Sequence, residues 1–285
     1  LHYCHLLLAL TLFTHFPYTP LFRSVVVDGP SLTLGSNAKA QTMTVTAGTL
    51  DLGAGSYVLE IDGTGTPLSN SDTFTAGTST VKYTGTTIAT NIATLPYSSL
   101  QLTPTAATTY SLTGHLTGGN ALTGDVTIDT NATMDAVSGT DYGLSAVDVT
   151  INGTYDAQGS TITVSGSWDM TDGAFNYDTS TVDFTGTGTI NSNIASWWTK
   201  RFYNINAAAA GEVTTVASGF GFSVVNIMTL DTGTVDGGSV VLSKGSGTPL
   251  VTGGATLSNS QFKIEGAGGT VTVPSTTYTE LWAAG

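Results

Sequence analysis

The segment NIASWWTKRFYNI, residues 193 to 205, brings Trp197, Trp198, Lys200, Arg201, Phe202 and Tyr203 together. An exposed indole beside basic side chains suits stacking on a sugar ring, with hydrogen bonds to its hydroxyls or carboxylate. Trp197, Trp198, Lys200 and Arg201 are therefore the candidate carbohydrate-binding residues. The competing expectation is a packing role, in which Phe202 and Tyr203 enter a core and the tryptophans cover a loop. Catalysis on a polysaccharide would call instead on Asp156, Asp169 and Asp183, stacked as paired carboxylates on neighbouring rungs of a coil. Each belongs to a run of acidic turns, and turn hydrogen bonding explains Asp there more simply. No catalytic residue is assigned. His115, in LTGHLTGG, has no Ser or Cys motif around it and reads as a surface turn residue.

The turns LEIDGTGTP (59 to 67) and LDTGTVDGG (230 to 238) carry oxygen ligands but match neither the calcium β-roll spacing nor an EF-hand loop. No metal and no cofactor is expected. Thr-x-Thr units (TMT, TIT, TGT, TVT) do not recur at one rung spacing, as a flat ice-binding ladder would require. With twenty acidic against seven basic residues the chain carries a formal charge of −13. That charge repels phosphate backbones and anionic lipid, so neither nucleic acid nor membrane insertion is expected. Glycans or host and cell-surface components are the partners that remain; the oligomeric state is left open.

Residues 1 to 24 differ from the rest. The apolar run HLLLALTLF (5 to 13) has the length of a signal core, but no Lys or Arg precedes it and no small-x-small cleavage site follows closely. It is also too short to span a membrane. FPYTPLFRS (16 to 24) resembles, at eight of nine positions, FPYTTLFRS, the translation of a common short-read sequencing adapter. That resemblance implies that residues 1 to 24 are a non-native artefact outside the fold. Without them the chain has no cysteine, which excludes disulfides, a thiol nucleophile and a zinc cluster, and its formal charge becomes −14 as Arg23 leaves.

What must position any site is a set of short strands. Apolar residues alternate with Thr, Asp or Lys in YVLEI (57 to 61), TVKY (80 to 83), DVTID (125 to 129), TITV (161 to 164), TVDF (181 to 184) and FKIE (262 to 265). Period two predicts strands with one buried face, and Gly, Asn and Asp clusters between them predict tight turns. Leu50, Leu52, Leu59, Ile61, Val81, Tyr83, Ile128, Ile162, Val164, Val182, Phe184 and Leu230 are the expected interior. The strands also repeat: FTAGTSTVKYTG (74 to 85) matches FNYDTSTVDFTG (175 to 186) at seven of twelve positions. A shorter pattern of small residue, apolar residue and Asp or Asn recurs as GTLD (48 to 51), GTYD (153 to 156), GSWD (166 to 169), GAFN (173 to 176) and GTVD (233 to 236). Short strands repeated with slippage are what a coil of rungs produces, each rung burying its inner face on its neighbours. The expected fold is all-β, a parallel β-helix (β-solenoid) with rungs of roughly 20 to 25 residues.

The strings GSWDMTDGAFNYDTSTVDFTGTG (166 to 188) and FYNI (202 to 205) resemble the Gly/Thr-rich repeats of large bacterial secreted and cell-surface proteins. In style these are related to filamentous-haemagglutinin and autotransporter-passenger β-helices. The resemblance implies a right-handed coil and an extracellular or cell-surface location, while the repetitive surface and the scarcity of catalytic residue types point to a structural or adhesive role without catalysis. A polysaccharide lyase or hydrolase, or a carbohydrate-binding module, is the alternative. Residues 25 to 285 are expected to form one solenoid domain, a fragment of a larger exported protein.

Overall fold

The computed structural model describes residues 21–86, 89–192, 200–207, 213–217, 221–244, 246–258, 260–265, 270–272, 275 and 277–284. They fall into two compact units, one ending at Asp135 and the other beginning at Ala136. Every described strand pairing is parallel, and the one described helix is a single 3-10 turn, Gly118–Asn120. Each unit is a parallel β-solenoid.

The first two described strands, Leu21–Thr33 and Ala38–Asp51, are long and pair from Leu21 on Lys39 to Thr33 on Asp51. Leu21, Phe22 and Ser24 are among the paired residues. The next turn of chain divides over the second strand. Val58–Ile61 pairs with Ala38–Ala40, Leu68–Asn70 with Met43–Val45, and Thr73–Thr75 with Thr49–Asp51. Later rungs then stack on Val58–Ile61 in strict register, giving the inward columns Leu59, Val81, Leu100, Val126 and Ile61, Tyr83, Leu102, Ile128. All eight side chains are buried. Burying an apolar side chain of this size contributes about 1.5–3 kcal/mol, so these columns hold the rungs together.

In the second unit the chain visits three sheets in rotation. Leu144–Ala146, Val149–Ile151 and Thr154–Asp156 make one turn, and Thr161–Val164, Trp168–Asp169 and Ala174–Asn176 lie over them as the next. One inward column runs Leu144, Ile162, Val182, Ile205, Met228 and Leu250, with steps of 18, 20, 23, 23 and 22 residues. The interior here is aromatic. Trp168 lies 4.9 Å from Phe175 and 5.6 Å from Phe202 between ring centroids, and Phe202 meets Phe222 edge-on at 5.3 Å.

All twelve residues expected inside are buried, none more than 4 % exposed. The small-apolar-Asp pattern has a consistent meaning. Leu50, Tyr155, Trp168, Phe175 and Val235 point inward, and the Asp or Asn that follows ends its strand. Asp51 accepts the Gly53 amide at 2.9 Å, and Asp169 the Thr171 amide at 2.9 Å, which are the turn bonds expected of Asp at these places.

The TSTV repeats also share a local structure. Ser79 and Ser180 are buried, and their amides donate to Ala76 and Tyr177 across equivalent turns. Glycine follows each strand because the rung below is too close for a side chain. A Cβ at Gly85 would lie 2.0 Å from the carbonyl oxygen of Gly63, and one at Gly186 1.9 Å from that of Ser165. Gly119, by contrast, has nothing within 4 Å. Gly85→Ala should therefore cost about 1–3 kcal/mol in urea unfolding, as overpacking does, while Gly119→Ala changes stability by less than about 1 kcal/mol. Equal effects of the two would contradict the stacked-corner geometry.

The outer column of the first unit pairs Lys39, Glu60 and Lys82. Lys39 Nζ lies 2.6 Å from Glu60 Oε1 and 3.2 Å from Asp62 Oδ2, and Thr84 donates to the same Glu60 oxygen at 3.0 Å. Burial disfavours the Glu60 carboxylate, but hydrogen bonds from Lys39 and Thr84 outweigh it and hold its pKa below the ordinary value. The hydrogen bond to Glu60 raises the Lys39 pKa. The stabilisation from Glu60 is complete above pH 4.5 and lost as pH falls through its depressed value; that from Lys39 is complete below pH 10.5 and lost as pH rises through its raised value. Glu60→Gln should lower stability by about 1 kcal/mol or less at neutral pH, the exposed-pair range, and should converge with the parent at low pH. Denaturant titrations of both proteins across pH check this, and a constant gap down to the lowest pH would contradict it.

Candidate functional site

Of the four residues chosen for sugar binding, Arg201 opens the strand Arg201–Ala207 and Lys200 lies next to it, yet the two side chains do not converge. Lys200 immediately precedes it and is buried. Its ammonium donates to the main-chain carbonyls of Met170 and Gly173. Those carbonyls bracket a turn at the end of the strand Trp168–Asp169, so the lysine acts as a brace under a corner. Burial pulls the Lys200 pKa down, while Asp172 and Asp169 push it up. Arg201 takes the opposite direction, pairs with Ser223 and is half-buried. Phe202 is buried in the aromatic interior and Tyr203 is half-buried, beside a register shift between Phe202 and Asn204. Trp197 and Trp198 lie outside the described residues.

The three carboxylates weighed for catalysis are separated by the fold. Asp156, Asp169 and Asp183 sit on three different sheets of the second unit. Each is tied to an amide one rung on: Asn176 donates to Asp156, Asn191 to Asp169 at 3.4 Å, and Asn206 to Asp183. His115 is exposed. Among the described residues no group of three His, Cys, Asp or Glu is placed to hold a metal ion, and no helix is long and apolar enough to cross a membrane.

Two open recesses lie on the outside of the sheet containing Thr181–Phe184. The wider, about 550 Å³, has Asp183 and Asn206 at one side, Thr229 and Val251 along the same outward column, and Asp231 beside Gly253 at the other. Strand spacing and rise put the backbones of Asp183 and Asp231 about 12 Å apart, two rungs and two residues. Carboxylate pairs that cleave glycosides stand about 5–9.5 Å apart. The groove thus brings two carboxylates, Asp183 and Asp231, to one surface across two rungs.

The second recess, about 230 Å³, is built around Trp282, which is 59 % exposed, with Lys263, Gln261 and Ser239 beside it. Reading the sequence did not single these residues out. Lys263, Gln261 and Ser239 lie 19, 21 and 43 positions before Trp282, and the rung register brings them to it. The usable signal was the alternation in ELWAAG, which sets Glu280 and Trp282 on one face.

Lys200→Met keeps the length and apolar volume of the side chain but leaves the Met170 and Gly173 carbonyls without their donor. Stability in urea should fall by about 1–3 kcal/mol, the cost of an unsatisfied buried acceptor. An unchanged midpoint would show that the ammonium is not engaged there.

Comparison of the chain with protein-family models, with curated proteins and with solved structures finds no match.

Proposed function

We propose that the chain is a non-enzymatic structural and adhesive β-solenoid segment of an exported bacterial surface protein. The observation that carries this reading is the state of its outward carboxylates. Asp156, Asp169 and Asp183 face outward from three separate sheets, each bonded to an asparagine of the next rung. A general acid or base needs a partner at the scissile bond and a proton it can exchange there. These groups are instead committed to holding rung to rung, and such outward ladders suit a surface that binds or spaces without turning anything over. The scarcity of His and the absence of Cys after residue 4 support the same reading. Location at the cell surface rests on the Gly/Thr-rich repeats described above.

The wider recess gives the enzymatic alternative its one observation, because Asp183 and Asp231 line a single groove. The full chain should therefore be incubated with a panel of neutral and acidic polysaccharides while reducing ends and unsaturated products are followed. No sustained product release is expected. Turnover that disappears in Asp183→Asn or Asp231→Asn would overturn the assignment and place an active site in that groove.

A further inference from the structure

The recess at Trp282 has features of a built binding site. Two outward columns form it through the pairing of Gly221–Leu230, Ser239–Leu242, Gln261–Glu265 and Glu280–Ala284. One column runs Gly221, Ser239, Gln261, Glu280; the other runs Ser223, Val241, Lys263, Trp282. The floor is closed, since Ser223 and Val241 are buried although both point outward. The polar column is ordered by a relay: Ser239 Oγ donates to Gln261 Oε1 at 3.1 Å, and Gln261 Nε2 donates to Glu280 Oε2 at 2.6 Å. That fixes the Gln261 amide in the wall of the recess and sets the Glu280 carboxylate at its rim, beside the lining residues, with its second oxygen outside the relay. Lys263 is held at 2.6 Å from Glu265 Oε1, so its stem forms one wall.

The dimensions match a single sugar ring. Glu280 and Trp282 are two residues apart on one strand, about 6.6 Å, and Gln261 and Lys263 lie about 4.8 Å away on the next rung. An indole beside a fixed carboxylate suits a pyranose whose C–H face covers the ring while its hydroxyls donate to the carboxylate. The charge selects among glycans. Lys263 in the lining is paired with Glu265, and Glu280 at the rim adds a negative charge, on a chain at −13. A uronate or sialylated sugar would be repelled, whereas an uncharged one would not.

We infer that Trp282, with Glu280 and Gln261, forms a binding subsite for an uncharged pyranose of a glycan chain. This deepens the adhesive half of the function proposed above and rests on it. The test is a printed array of uncharged and acidic glycans probed with the full chain, Trp282→Ala and Glu280→Gln, with circular dichroism to confirm that each variant is folded. Sedimentation velocity on the same samples reports self-association. The parent should bind uncharged glycans, Trp282→Ala should lose about tenfold or more, and Glu280→Gln should lose less. Binding to uncharged glycans that survives Trp282→Ala would discard this subsite while leaving the adhesive reading intact. Preference for acidic glycans, or a Trp282-dependent dimer that binds no sugar, would overturn the inference. An array that stays blank for the folded parent would remove both the subsite and the adhesive role.

Discussion

Everything in this protein depends on parallel stacking at one strand spacing. A residue in one rung sits about 4.8 Å from its counterpart in the next, with the same orientation, so each position must tolerate a neighbour in the same environment. Inside, that requirement is met by aliphatic columns and edge-on aromatic rings. At the corners it removes the side chain, as at Gly85 over Gly63. Outside, it governs charge. Two like charges at this spacing repel by about 1 kcal/mol in water and several times that near a protein surface. Lys39 accordingly meets Glu60, which meets Lys82, and Asp156, Asp169 and Asp183 meet asparagines. The low charged fraction, 9 % of residues, follows from the same rule. Threonine stacks on threonine without penalty, as Thr161 does on Thr181.

Much of this was legible from the residue order. Alternation told inside from outside at Leu59, Ile61, Val81 and Tyr83, because period two leaves no other way to bury those side chains. Spacing also held more than was taken from it. Asp156, Asp169 and Asp183 recur at 13 and 14 residues, whereas rungs in that region repeat at 18 to 23. Equivalent residues at two-thirds of a turn must face different sides, and the idea of stacked carboxylates could have been set aside on that count.

Other features could not be read locally. The Lys200 side chain finds its carbonyls 27 and 30 residues back in the chain, at a turn whose distance depends on the length of the intervening rung. Its position between tryptophans and an arginine looked like a cationic surface, and nothing nearby in the sequence signals a bracing role. Trp282 is the opposite case. Its local context is unremarkable, and the surroundings that matter come from strands whose register is set by variable loops. Long side chains at corners and outer columns of a solenoid are thus the residues for which local sequence is least informative.

The sparse basic residues have one more consequence. Proteases that cut after Lys or Arg have seven positions to attack, and they require a stretch of chain extended and free in their own cleft. Arg23, Lys39, Lys82, Arg201 and Lys263 are within paired strands, and Lys200 is buried. Lys244 alone stands outside a strand with its side chain partly open. A trypsin-like enzyme would meet almost no susceptible bond until a rung peels away, so the composition that keeps the outer columns compatible also leaves that class of protease little to attack.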